Sequence, residues 1–239
     1  MRIITALVVL CVSSPVFAAA SAWIPVEIEN GQIIIPITLG GDPARALLDT
    51  GAEGHAISES FLAGHEGAYT KGKPLTVSGV NSSRRTNWIH NVDIGLFGID
   101  FEIDDLMPIL DDDIDFILGL PFFELFIVQI DYPGKRMRIV DRKSLDLKKF
   151  ANVKMKRSGG SGHPQIQVNL NGEMNAWLML DTGNNGGIYM QRSKVEKRGW
   201  LEQYRSTESV VTGANATATG TETFRLPAMT IGPYEMENI

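Results

Sequence analysis

One tripeptide occurs twice in this chain, and that repetition constrains it more than its composition does. Leu47-Leu48-Asp49-Thr50-Gly51-Ala52 recurs as Met179-Leu180-Asp181-Thr182-Gly183-Asn184, each time behind an apolar, strand-like run. A specified tripeptide arises by chance in roughly one in thirty chains of this length, so two copies with matching flanks are far rarer. Other landmarks keep the same spacing. Asp49 and Asp181 are 132 residues apart, Gly79 in Val-Ser-Gly and Gly213 in Val-Thr-Gly are 134, and Gly98 and Gly232 are also 134. An internal duplication with small insertions is the simplest account.

Local signals place both copies at the ends of strands. The alternation Ile33, Ile35, Ile37, Leu39 predicts a strand, Gly40-Gly41-Asp42-Pro43 a turn, and residues 44–48 a second strand that delivers Asp49. Ser58-Glu59-Ser60-Phe61-Leu62 reads as a short capped helix, followed by a polar, Gly-rich stretch to Lys73. Residues 75–81 read as a strand entering a turn, with 87–94 as its return. Further on, Tyr132-Pro133-Gly134-Lys135 separates predicted strands over 125–130 and 136–140. A charged segment then leads to Ser158-Gly159-Gly160-Ser161-Gly162, which places a boundary between Asp141 and Gly162. Beyond it the pattern repeats: Ile166, Val168 and Leu170, a turn at Asn171-Gly172, a strand over 177–180, Asp181, and a helix over 191–198 ending at Gly199.

The two Asp-Thr-Gly motifs resemble those of the aspartic proteases, and the chain looks most like the bacterial exported members of the retropepsin-like group. That resemblance implies a mostly β fold of two pseudo-symmetric acid-protease lobes with a central cleft, in which the motifs bring Asp49 and Asp181 together across a pseudo-twofold axis. It implies that Thr50 and Thr182 hydrogen-bond across to the opposite loop, with Gly51 and Gly183 supporting the carboxylates. It makes the hairpin around Val77, Ser78 and Gly79 a flap candidate, an ordinary surface hairpin being the alternative. It also makes Ile117-Leu118-Gly119 the strand packed behind the first loop. The lobes would span residues 21–150 and 151–239.

The chemistry explains why these residue types belong together. Two carboxyl groups about 3 Å apart cannot both ionise cheaply, so the pair holds one proton and offers a base beside an acid. A water can then be activated against a peptide carbonyl with no metal, cofactor or covalent intermediate. The expected activity is that of an aspartic endopeptidase acting on a polypeptide substrate, the alternative being a non-catalytic peptide-binding protein that keeps the cleft. Where pepsin-like sequences carry Ser or Thr after the Gly, Ala52 has no hydroxyl to offer and Asn184 has an amide. With fewer hydrogen bonds to the ionised form, activity is expected to reach weakly acidic or near-neutral pH.

Competing site readings are weaker. Asp104-Asp105 and Asp111-Asp112-Asp113-Ile114-Asp115 lack the spaced ligands, turn Gly and closing Glu of a calcium loop, and a solvated acidic loop is expected. His55, His65, His90 and His163 show no metal-binding spacing. At 44% hydrophobic residues and a formal charge of −6, the chain has the makings of a buried core and no electrostatic footprint for nucleic acid. Residues 1–20 read as a signal peptide: Arg2, an apolar run over 3–16, and small residues around Ala18-Ala19-Ala20. Cleavage would leave an exported, periplasmic or secreted protein with no membrane span. It would also remove Cys11, so no disulfide is expected.

The duplication carries one more expectation. An offset of 134 places the second counterpart of Ile117-Leu118-Gly119 at 251–253, past Ile239. The second lobe is therefore expected to be incomplete at its C-terminus, with a further C-terminal segment or a partner chain supplying the closing strand.

Overall fold

The computed structural model describes residues 20–79, 83–110, 113–212 and 218–239. The predicted signal peptide, with Cys11, falls outside them except for Ala20, as do Asp111, Asp112 and Gly213. The chain is mostly β, in the manner of an acid protease. In its first part the elements run β1 (Ile24–Pro25), β2 (Glu27–Glu29), β3 (Gln32–Leu39), β4 (Asp42–Leu48), β5 (Ala56–Ser58), α1 (Glu59–Gly64), β6 (Thr70–Ser78), β7 (Ser83–His90), β8 (Val92–Leu96), β9 (Ile99–Ile103), β10 (Met107–Ile109), β11 (Phe116–Leu118), α2 (Leu120–Leu125), β12 (Phe126–Asp131) and β13 (Arg136–Asp141). There follow α3 (Leu147–Phe150), β14 (Met155–Arg157), β15 (Pro164–Leu170), β16 (Met174–Met179), α4 (Arg192–Glu196), α5 (Trp200–Gln203), β17 (Thr207–Thr212), β18 (Ala218–Thr223), β19 (Ala228–Ile231) and β20 (Tyr234–Glu237).

One curled sheet has the order β10-β5-β11-β4-β3-β8-β9, with β2 also on β3. Its core follows the pleat. Ile33, Ile35, Ile37 and Leu39 of β3 meet Ala44, Ala46 and Leu48 of β4 in the main buried cluster. The opposite face is buried too, because Ile34 and Leu47 join Ala56, Ile109, Ile114 and Ile117 in a second cluster that packs against Ala52. Alternation in the sequence marks only the first face. The second is covered by β5, β10 and β11, which arrive from later in the chain.

Another sheet has the order β14-β15-β19-β20, with β16 on β15. Here β15 pairs with β16 along one edge and with β14 and β19 along the other, as β3 pairs with β4 on one edge and with β2 and β8 on the other. Its smaller core gathers Val168, Leu170, Met174, Val195, Trp200 and Leu226. The fully buried Trp200 satisfies its indole N–H by donating to Glu173 at 2.8 Å. In the three-residue connection from Leu170 to Met174, Asn171 and Gly172 both have positive φ, 53° and 72°, which lets the chain reverse between twisted strands. The two sheets differ at one edge. β4 is flanked by β3 and by a parallel β11, whereas among the described residues β16 pairs with β15 alone. Trp177, Met179 and Leu180 there are 39–46% exposed.

Several predicted boundaries shift. The return strand expected over 87–94 is two strands: Asn91 takes φ of 59° between β7 and β8, so the chain changes partners there. Residues 70–73, expected in a polar loop, begin β6. The helix expected over 191–198 is the single turn α4, and Gly199 at φ 64° starts a second turn, α5. Ser58 caps α1 as its sequence suggests, accepting from Phe61 N–H at 3.1 Å.

Candidate functional site

Asp49 leaves the end of β4 on a loop held from behind. β11 runs parallel to β4 with Ile117 opposite Leu47 and Leu118 opposite Leu48. The Asp49 amide donates to Leu118 O at 3.0 Å, and Leu120 N–H donates to Ala52 O at 2.9 Å. Gly119 must lack a side chain, because a Cβ would lie 2.1 Å from Gly54 O. These contacts come from Ile117-Leu118-Gly119 and the first turn of α2, where Pro121 sits without disrupting the helix start.

The two Asp-Thr-Gly loops grip each other reciprocally. Thr50 Oγ1 donates to Leu180 O at 2.6 Å and accepts from Thr182 N–H at 3.1 Å. Thr182 Oγ1 donates to Leu48 O at 2.7 Å and accepts from Thr50 N–H at 3.1 Å. Each glycine steadies its own aspartate, Gly51 N–H at 2.7 Å from Asp49 Oδ1 and Gly183 N–H at 2.9 Å from Asp181 Oδ1. Each glycine also faces the opposite carboxylate. A Cβ on Gly51 would stand 2.6 Å from the Asp181 carboxyl group, and one on Gly183 would stand 2.4 Å from that of Asp49. The carboxyl groups themselves are close enough to hydrogen-bond.

This environment disfavours a second negative charge. Burial, then the neighbouring Asp181, push the Asp49 carboxyl from 3.8 up to about 7, against the lowering effect of hydrogen bonds from the Gly51 and Ala52 amides. Among the described residues no group of three or more His, Cys, Asp or Glu side chains is arranged to hold a metal ion.

Residues 35–122 match a family model described as aspartyl protease. Over this segment the chain is similar to the aspartyl proteases. The matched span takes in β4, the Asp49-Thr50-Gly51 loop, the β6–β7 hairpin and Ile117-Leu118-Gly119. No curated protein matches the chain.

The remaining expected site residues are less uniformly placed. Val77 and Ser78 end β6, pairing with Arg84 and Ser83 of β7, and Gly79 follows; residues 80–82 lie outside the described residues. Close to the turn end of the hairpin, Arg84 donates to Glu59 at 2.6 Å and to Pro108 O at 3.0 Å. Asn184 does not offer its amide to a carboxylate. It closes its own loop, donating to Gly187 O at 2.9 Å and accepting from Gly186 N–H at 2.8 Å. The acidic cluster is structural at Asp115, whose Oδ2 accepts from Arg45 N–H at 2.8 Å.

Three residues at the site have no motif to announce them. His55 sits behind the first loop, its Nδ1 accepting from Gly119 N–H at 3.3 Å, and burial lowers its pKa. Gln32 donates to Gly183 O at 2.6 Å, and His163 Nε2 lies 2.9 Å from Gly51 O. Gln32 precedes Asp49 by 17 residues and His163 precedes Asp181 by 18. That near-equal spacing is the one signal in the sequence that could have found them.

Proposed function

We propose that this chain is an aspartic endopeptidase in which Asp49 and Asp181 hold one proton between them and activate a water against a peptide carbonyl. The observation that carries the reading is the reciprocal threonine grip, which brings two carboxyl groups 132 residues apart in sequence into hydrogen-bonding contact. Burying two like charges side by side opposes folding, so a fold that holds them there is using them. In the reaction, the ionised carboxylate takes a proton from water as the water oxygen attacks the carbonyl carbon. The protonated partner donates to the carbonyl oxygen as negative charge develops on it. Return of a proton to the amide nitrogen lets the C–N bond break, and the pair is left with one proton as at the start. The proton belongs to the pair as a unit.

A pair containing a carboxyl raised to about 7 favours activity from weakly acidic to near-neutral pH. With the leader expected over residues 1–20, the enzyme would work in the periplasm or outside the cell. The test is hydrolysis of a peptide library and of casein, with and without a transition-state inhibitor of aspartic proteases. Asp49→Asn and Asp181→Asn should each abolish turnover, with losses that are similar and non-additive. Near-normal turnover by the Asp181 variant would remove the second motif from the mechanism. Peptide binding without cleavage by the unaltered protein would move the reading to a non-catalytic binder.

A further inference from the structure

Gln32 and His163 make the same contact from opposite directions. Gln32 opens β3 and gives its amide N–H to the carbonyl of Gly183, 151 residues away. His163 stands immediately before β15 and reaches the carbonyl of Gly51, 112 residues away. Each therefore braces the Asp-Thr-Gly loop that its own half of the chain does not supply. A carbonyl oxygen can only accept, so the hydrogen in the second contact is on His163 Nε2. The other ring nitrogen, Nδ1, lies 2.7 Å from Ser161 Oγ, which is in turn 2.7 Å from Ser158 Oγ. Both braces therefore end in an N–H donor, an amide on one side and an imidazole on the other.

The braced atom matters because a peptide unit is rigid. The Gly51 carbonyl and the Ala52 N–H belong to one plane, so holding the first aims the second. The Ala52 amide is one of the two backbone donors that stabilise ionised Asp49. His163 thus acts on the carboxylate through one planar unit, without touching it.

We infer that Gln32 and His163 are crossed positioning residues that set the orientation of the two Asp-Thr-Gly loops, and that what each position requires is an N–H donor of the right reach. As a statement about catalysis this rests on Asp49 and Asp181 being the dyad. The amide at one position and the imidazole at the other make a conservative exchange informative.

The experiment compares the unaltered full chain with His163→Ala, His163→Gln and Gln32→Ala. It uses steady-state peptide hydrolysis over a range of pH, together with carbon NMR titration of the aspartate carboxyl groups. His163→Ala should lower kcat about 10- to 100-fold, as expected for a misplaced catalytic group, with KM little changed. Its acid limb and the Asp49 carboxyl titration should move to higher pH, because a donor to the ionised form is lost. Gln32→Ala should lower kcat in the same way. His163→Gln should restore kcat to within a few-fold and return the titration to its original place. An Ala variant with unchanged kcat and carboxyl titration would overturn the inference, and so would a Gln variant as impaired as Ala. If His163→Ala does not fold, His163→Gln and Gln32→Ala still decide it. If the unaltered chain hydrolyses nothing, the endopeptidase reading falls, while the carboxyl titrations still show whether the brace exists.

Discussion

Asp49→Asn should make the protein more stable above neutral pH and leave its stability in acid nearly unchanged. Asn keeps the oxygen that accepts from Gly51 N–H, now at 2.7 Å from Asp49, and turns a repelling oxygen toward Asp181 into a donor. The Asp49 carboxyl rises from 3.8 to about 7 in the fold. The folded state therefore binds a proton that the unfolded chain releases between those values. That contribution is fully present below about 3.8 and is lost as the pH rises through 7, so at pH 8 the ionised group opposes folding. At 1.36 kcal/mol per pH unit the full rise corresponds to about 4 kcal/mol. Relaxation of the pair and water entry reduce this, and about 2–4 kcal/mol is the expected gain. For a chain of this size that is an increase in Tm of about 4–16 °C. Thermal melts of the two proteins at pH 8 and pH 3.5 give the comparison. A gain of equal size at both pH values, or a lower Tm for the variant at pH 8, would refute the electrostatic reasoning.

His55 should act in the opposite sense: its folded pKa is lowered by burial, so stability drops as pH falls below the unfolded value of about 6.5. His55→Gln, which keeps an acceptor for Gly119 N–H, should lose stability less steeply than the unaltered protein between pH 7 and 5, as followed by urea unfolding. Thr50→Val and Thr182→Val each leave one amide of the opposite loop unpaired and should cost about 2–3 kcal/mol. Because both substitutions loosen one grip, a double-mutant cycle should show coupling of at least about 0.5 kcal/mol, and strict additivity would contradict the reciprocal arrangement. In hydrogen exchange, the Asp49 amide, bonded to Leu118 O, should be far better protected than the amides of β16 that point away from β15. Equal protection would mean that the outer edge of β16 is paired in solution.

Much of the first sheet is legible along the chain because its signals are local. Alternating Ile33 to Leu39 needs only the pleat of a strand, Asn171-Gly172 only the backbone freedom of a tight turn, and Ser58 only a nearby amide to cap. Where neighbours compete, the local signal fails. Residues 87–94 read as one return strand, yet Asn91 turns the chain because β7 pairs with β6 and β8 pairs with β3 and β9. Asn184 reads as a donor waiting for a carboxylate, but its own loop satisfies it first.

The two Asp-Thr-Gly motifs, the strands that deliver them and the Ile117-Leu118-Gly119 element are legible in the residues alone, since a repeated word and a strand pattern survive without coordinates. Which groups meet those loops is settled by the folded chain. That Thr50 bonds Leu180, that Gln32 holds Gly183 and that His163 holds Gly51 are contacts across 112 to 151 residues. A glutamine or a histidine carries no local preference for a distant carbonyl. The acceptor is chosen by where packed strands leave an open hydrogen-bonding group within reach, and that exists only after the chain has folded.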